Sequence, residues 1–149
     1  MSILSVNIGN YQLWKWLLMS LYLIPMAIGD IKEKRVSLVF VGVGVISGIT
    51  CLSAIENAPV YTMAGLIPGA GLMLLSLVLK GAIGAADGAV LALIGSFLGF
   101  RNSISVLFFA LMLSLAVALY LILIKKAGRK KEIPFVPFLF LGFVGVGII

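Results

Sequence analysis

The sequence predicts an all-α polytopic membrane protein with six transmembrane helices and both termini outside. Three observations predict it. Apolar residues make up 62% of the chain, and its mean hydropathy of +1.25 lies far outside the range of soluble domains. The chain divides into six apolar runs near the length of about 20 residues that a helix needs to cross a bilayer core. Lysines and arginines gather in alternate connections between those runs, as membrane orientation requires. A β-barrel would show a strict two-residue alternation, which is absent. The runs account for one transmembrane domain over residues 1–149 and leave no room for a soluble one.

The first helix is expected over about 13–29, after a short polar tail. Tyr11, Trp14 and Trp16 read as an interfacial aromatic belt, Lys15 as a snorkelling neighbour, and Pro25 as a candidate kink. Ala27-Ile28-Gly29 offers small residues at cleavage-like positions. No positive charge precedes the belt, however, and Lys32, Lys34 and Arg35 follow directly, so the segment is expected to be kept. The second helix, about 36–55, carries Gly42, Gly44 and Gly48, which point to close helix packing. Glu56-Asn57-Ala58-Pro59 forms a turn, and the third helix follows over about 61–79 with Pro68 between Gly65 and Gly69.

The fourth helix is expected over about 84–100, the fifth over about 104–124, with Arg101-Asn102-Ser103 as the turn between them. Residues 125–132 form a basic loop. The sixth helix, about 133–149, opens on Ile133-Pro134-Phe135-Val136-Pro137-Phe138, where proline suits a first turn because its missing N–H leaves nothing unpaired. Lys32, Lys34, Arg35, Lys80, Lys125, Lys126, Arg129, Lys130 and Lys131 occupy the odd connections, and Arg101 alone the even ones. Odd connections are therefore expected in the cytoplasm.

The net charge of +6 is explained by these loops and anionic lipid, so no nucleic-acid partner is expected. The absence of histidine excludes Ser-His-Asp and Cys-His nucleophiles and makes a zinc site of Cys and His implausible. Cys51 is the sole cysteine, and no Gly-rich loop ends in Gly-Lys-Ser/Thr. No cofactor and no metal are expected.

Two carboxylates stand out in this apolar chain. Asp87 lies in Gly84-Ala85-Ala86-Asp87-Gly88 ahead of an apolar run, and Asp30 closes the first run. A carboxylate at membrane depth costs about 3 kcal/mol or more and marks a cavity, a partner or a reaction. Taken alone, Asp30 reads as a solvated interfacial charge and Asp87 as the N-cap of a helix starting near Gly88. The odd-loop rule brings both to one side. There, two close carboxyl groups share a proton, and the pair can activate water while polarising a carbonyl. The same pair could bind a cation in a small ion-coupled transporter, against which stands the lack of an internal repeat. Ser76 and Lys80, four apart, are a weaker dyad candidate.

Three stretches resemble the bacterial type IV prepilin peptidases and archaeal preflagellin peptidases, six-helix intramembrane aspartic proteases. Asp30-Ile31-Lys32-Glu33-Lys34-Arg35-Val36-Ser37 resembles the aspartate and basic loop after that family's first helix. Gly84-Ala85-Ala86-Asp87 and the run to Gly99 are similar to its Gly-x-Gly-Asp motif and following helix. Ile133-Pro134-Phe135-Val136-Pro137-Phe138-Leu139 resembles its Pro-Phe-x-Pro-Phe signature.

The resemblance implies Asp30 and Asp87 as catalytic residues. It implies Gly84, Ala85, Ala86 and Gly88 as the motif where the substrate backbone approaches. It implies a prepilin or pilin-like precursor as substrate, cut on the cytoplasmic face of the cell membrane, typically after a glycine. Ala86 stands where the family has its second motif glycine, and Ala89 where a lysine often follows the second aspartate. The Ala86 departure keeps a second reading: an inactive family member assisting pilus or secretion assembly. With no added Cys-x-x-Cys domain, the chain resembles the short, single-function members of Tad-type systems, and methylation of the new N-terminus is not expected. Oligomeric state is not legible.

Overall fold

The computed structural model describes residues 2–33, 36–56, 59–80, 84–124 and 133–148. Met1, Lys34, Arg35, Asn57, Ala58, Gly81, Ala82, Ile83, the basic loop 125–132 and Ile149 lie outside the described residues, as do the side chains of 2–12, 52–59, 61 and 62, Tyr11 among them. Every described element is helical: α1 Ser2–Glu33, α2 Leu38–Glu56, α3 Pro59–Gly65, α4 Ile67–Val78, α5 Ala85–Leu123 and α6 Val136–Ile148.

Three boundaries differ from expectation. α1 begins at Ser2, so the expected polar tail is helical and continuous with the first apolar run. The third run is two helices, α3 and α4, parted at Leu66. Pro68 sits in the first turn of α4, where its lost N–H and its ring end the preceding helix. Residues 101–103, expected as a turn, are helical, and the break falls at Gly99. Gly99 has φ 77° and ψ 175°, a backbone that side chains strongly disfavour. The polar residues beyond it bond back along the helix, Asn102 Nδ2 to the Leu98 carbonyl at 3.3 Å and Ser105 Oγ to that of Arg101 at 3.2 Å.

α5 folds back at this break. A straight helix would set Asp87 and Leu115 about 40 Å apart. Instead, Leu115 shares a cleft with Phe135 and Phe138, whose neighbour Val136 bonds to Asp30, and Asp30 acts electrostatically on Asp87. The first leg, 85–98, therefore runs away from the aspartates, and the second, 100–123, is the longer and returns towards them.

The first leg of α5 is the core of the bundle, with Val90, Leu91, Leu93 and Ile94 fully buried. Small residues let the other helices reach it. A Cβ on Gly48 would meet Ser96 Oγ, one on Gly65 the Gly95 carbonyl, and one on Gly69 the Ala92 backbone. α2 lies alongside this leg, and α3 with α4 run against it. α6 packs on the second leg, where a Cβ on Gly142 would come within 2.6 Å of the Val106 carbonyl.

Outward faces are largely apolar: Leu21, Val39, Leu77 and Leu123 are all more than two-thirds exposed. Apolar surface on this scale marks a membrane or protein contact. Among the described residues, α5 is the helix long and apolar enough to cross a membrane, with mean hydropathy 2.8 in its most apolar window; Leu38–Cys51, Met63–Val78 and Val136–Ile148 are shorter apolar helices.

Candidate active site

The inward stripe of α1 follows the helical repeat through Lys15, Met19, Leu23, Met26 and Asp30, all buried. Both of its ends are charged. Asp30 is 9% exposed and accepts a hydrogen bond from the Val136 N–H, 3.0 Å from its Oδ2. It is thus not the solvated interfacial charge that its lysine neighbours imply in the sequence. Lys15, expected to snorkel, is 6% exposed. It falls on the same face as Met19 and Leu23, between an exposed Trp14 and a Trp16 whose ring lies 4.4 Å from that of Phe143.

Asp87 comes from the first turn of the central helix α5. Gly84 is the N-cap of α5, with extended backbone (φ −65°, ψ 123°), and Asp87 is the third helical residue. The N-cap reading of Asp87 is corrected accordingly. Its amide bonds to the Gly84 carbonyl at 3.0 Å, and its carboxylate leans back over Gly84, where a Cβ would lie 2.9 Å from Oδ2. The first motif glycine thus leaves room for the carboxylate three residues on. A negative charge in a helix first turn is also favoured by the free N–H groups there.

The remaining motif residues divide by role. Ala85 is exposed and Ala86 half-buried, both in the first turn. Lys80 is the one non-glycine with positive φ among the described residues, so Ala86 demands no glycine-like backbone. Gly88 is where helices touch: a Cβ there would come within 2.6 Å of Met73 Cγ and 2.9 Å of the Gly69 carbonyl.

Asp30 and Asp87 lie within electrostatic reach of each other, at the end of the bundle where α1 finishes and α5 and α6 start. Asp30 is buried and Asp87 half-buried. Beside them, an apolar cleft of about 470 Å³ opens between the second leg of α5 and the start of α6, lined by Leu111, Leu115, Ala118, Ile133, Phe135 and Phe138. Neither aspartate lines it. The Ser76–Lys80 pair is split in character: Ser76 is buried at 4% exposure, whereas Lys80 is exposed in a left-handed turn (φ 51°). Among the described residues no group of three or more His, Cys, Asp and Glu is placed to hold a metal ion.

The residue that sequence reasoning missed is Val136. Its side chain is unremarkable, and its part in the site is played by the backbone. The one signal in the sequence is the proline at 137, which removes the next amide.

A family model described as the type IV leader peptidase family matches residues 17–122, well over half of the chain. The match takes in Asp30 and Asp87 and stops before the Pro134–Phe138 turn. No curated protein and no solved structure matches the chain.

Proposed function

Because the chain belongs to the type IV leader peptidase family, we propose that it is a multi-pass aspartic endopeptidase of the cell membrane. It removes the basic leader of a prepilin or pilin-like precursor on the cytoplasmic face, with Asp30 and Asp87 as the catalytic pair. The observation that carries this reading is that Asp30 and Asp87, from helices far apart in sequence, lie within electrostatic reach of each other at one end of the bundle.

In this mechanism the pair shares one proton. The ionised carboxylate takes a proton from a water molecule, whose oxygen attacks the scissile carbonyl carbon. The protonated partner donates to the carbonyl oxygen, giving a tetrahedral diol. Collapse of that diol breaks the C–N bond as the leaving nitrogen takes up a proton. The substrate segment must be extended there, because a helical carbonyl is already hydrogen-bonded.

Orientation and depth support the same reading. The lysines and arginines of the odd connections put the aspartate end in the cytoplasm and both termini outside, with six crossings formed by α1, α2, α3 with α4, the two legs of α5, and α6. The second leg of α5 is the longer of the two, which suits a pair set below the cytoplasmic surface and not on it. The apolar cleft flanks that approach and suits the apolar helix that follows a leader. Ala86 sits in an ordinary helical turn, a backbone that asks for no glycine, which supports the active reading over that of an inactive assembly factor.

The test is leader removal from a co-expressed pilin-like precursor in matched membranes. Asp30→Asn and Asp87→Asn, nearly isosteric and unable to take a proton from water, each abolish cleavage while the protein remains inserted. The two losses are non-additive, since both serve one water and one carbonyl. Glu33→Gln, Glu56→Gln and Glu132→Gln keep cutting. Near-normal processing by either aspartate variant at equal protein level removes the assignment.

A further inference from the structure

The start of α6 is built so that one backbone amide is left over, and that amide is spent on Asp30. A helix ordinarily leaves its first four N–H groups without intrahelical partners. In α6, whose N-cap is Phe135, these belong to residues 135–138. Pro137 has no N–H. The amides of Phe138 and Leu139 both turn back to the Phe135 carbonyl, at 2.9 and 3.1 Å. Among the helical residues of this turn, Val136 is then the one whose N–H leaves the helix, and it reaches across 106 residues of sequence to Asp30 Oδ2 at 3.0 Å. Val136 is fully buried and Asp30 nearly so, which keeps the bond away from water.

We propose that the Val136 amide is a positioning group for the catalytic pair, and that the proline-flanked turn exists to present it. The proposal rests on Asp30 being catalytic and adds a residue that acts through it. An amide N–H can only donate, so Asp30 Oδ2 must offer it a lone pair; a carboxylate or carbonyl oxygen accepts more strongly than a carboxyl hydroxyl, so the bond disfavours the shared proton on that oxygen. The bond therefore does two things. It fixes the rotation of the Asp30 carboxyl group, and it biases the shared proton towards the remaining carboxyl oxygens of the pair. Hydrogen bonds to a charged group are among the stronger ones in proteins. The Val136 side chain takes no part; any residue with an N–H at 136 serves.

This makes proline at 136 a selective probe. Phe135 accepts the first bonds of α6 and so occupies the N-cap, which makes Val136 the first helical residue, where proline is well tolerated. Val136→Pro deletes the N–H and keeps the helix. With purified enzyme in detergent and a pilin-like precursor that the unaltered chain cleaves, kcat should fall about tenfold or more at unchanged KM. Val136→Ala, which keeps the amide, should restore turnover. If Val136→Pro fails to fold, a backbone ester at 136 removes the same N–H without the ring, and the same fall in kcat is expected.

Wild-type kcat in the proline or ester variant overturns the proposal, as does a loss confined to KM or an equal loss in Val136→Ala. Asp30→Asn separates the two levels of argument. If it still cuts, the catalytic reading fails; if it is dead while Val136→Pro turns over normally, only the positioning role fails.

Discussion

The seam between α4 and α5, where Asp87 begins, and the seam between α1 and α6, where Asp30 ends, are built on opposite principles. Along the first, backbone meets backbone: Gly69 lies on Ala92, Gly88 on Met73 and the Gly69 carbonyl, and Gly65 of the adjoining α3 on Gly95. Along the second, large side chains fill the space. Trp16 stacks on Phe143 with rings 31° apart, Gly147 makes way for that indole, and Met19, Leu23 and Leu139 are fully buried. Without a hydrophobic drive between helices in lipid, close backbone approach is what holds them, and it has no slack. Side chains with several rotamers can re-pack; a carbonyl in a helix cannot move aside. Asp87 thus stands on the rigid side of the bundle, held by its own helix and its neighbours. Asp30 stands on the adaptable side, and there a single hydrogen bond supplies the precision that the packing does not.

The comparison is sharpest where the smaller chemical change costs more. Gly95→Ala adds one methyl group, and that methyl would fall on the Gly65 carbonyl oxygen. The expected loss is about 3 kcal/mol of unfolding free energy in detergent. Gly71→Ala is the control: nothing lies within 4 Å of its Cβ, and it should stabilise α4 by about 0.5–1 kcal/mol. A Gly95→Ala protein as stable as the unaltered chain would mean that this seam has slack.

Phe143→Leu makes a larger change on the other seam. It removes one ring of a stacked pair from a site only 1% exposed, yet the expected cost is only about 1–1.5 kcal/mol, because neighbouring side chains can close the gap. Thermal unfolding of the two variants side by side is the measurement. If Phe143→Leu proves the more damaging, the contrast between a rigid and an adaptable seam is wrong.

The smallest effect is expected at the motif position that departs from the family. Ala86 lies in the first turn of α5 with helical backbone, so Ala86→Gly should cost less than about 1 kcal/mol and leave precursor cleavage at its starting level. A clear loss of cleavage would show that the methyl group itself is needed beside Asp87.

Composition and order along the chain were enough for much of this molecule. The all-helical class follows from apolar runs that have to satisfy their own backbone groups in lipid. Gly44 and Gly48 of α2 announced close packing, and a Cβ on either would meet side chains of α5, whereas Gly42, read the same way, has nothing within 4 Å. The two aspartates stood out because a carboxylate in so apolar a setting is costly unless used, and the lysine and arginine pattern assigned them to one end.

Tertiary structure decided what depends on direction. Whether Lys15 faces lipid or core is a matter of helix rotation, set by the partners α1 packs against and invisible to hydropathy. The reversal in α5 could have fallen at the polar residues 101–103, but these are helical, the Asn102 side chain bonding back to the Leu98 carbonyl, and the break went to Gly99, where the backbone could take φ 77°. The bond between Asp30 and Val136 joins a side chain to a backbone amide 106 residues away. An amide carries no signature in a one-letter sequence, since every residue but proline has one, and only the fold determines which of them is left without a partner.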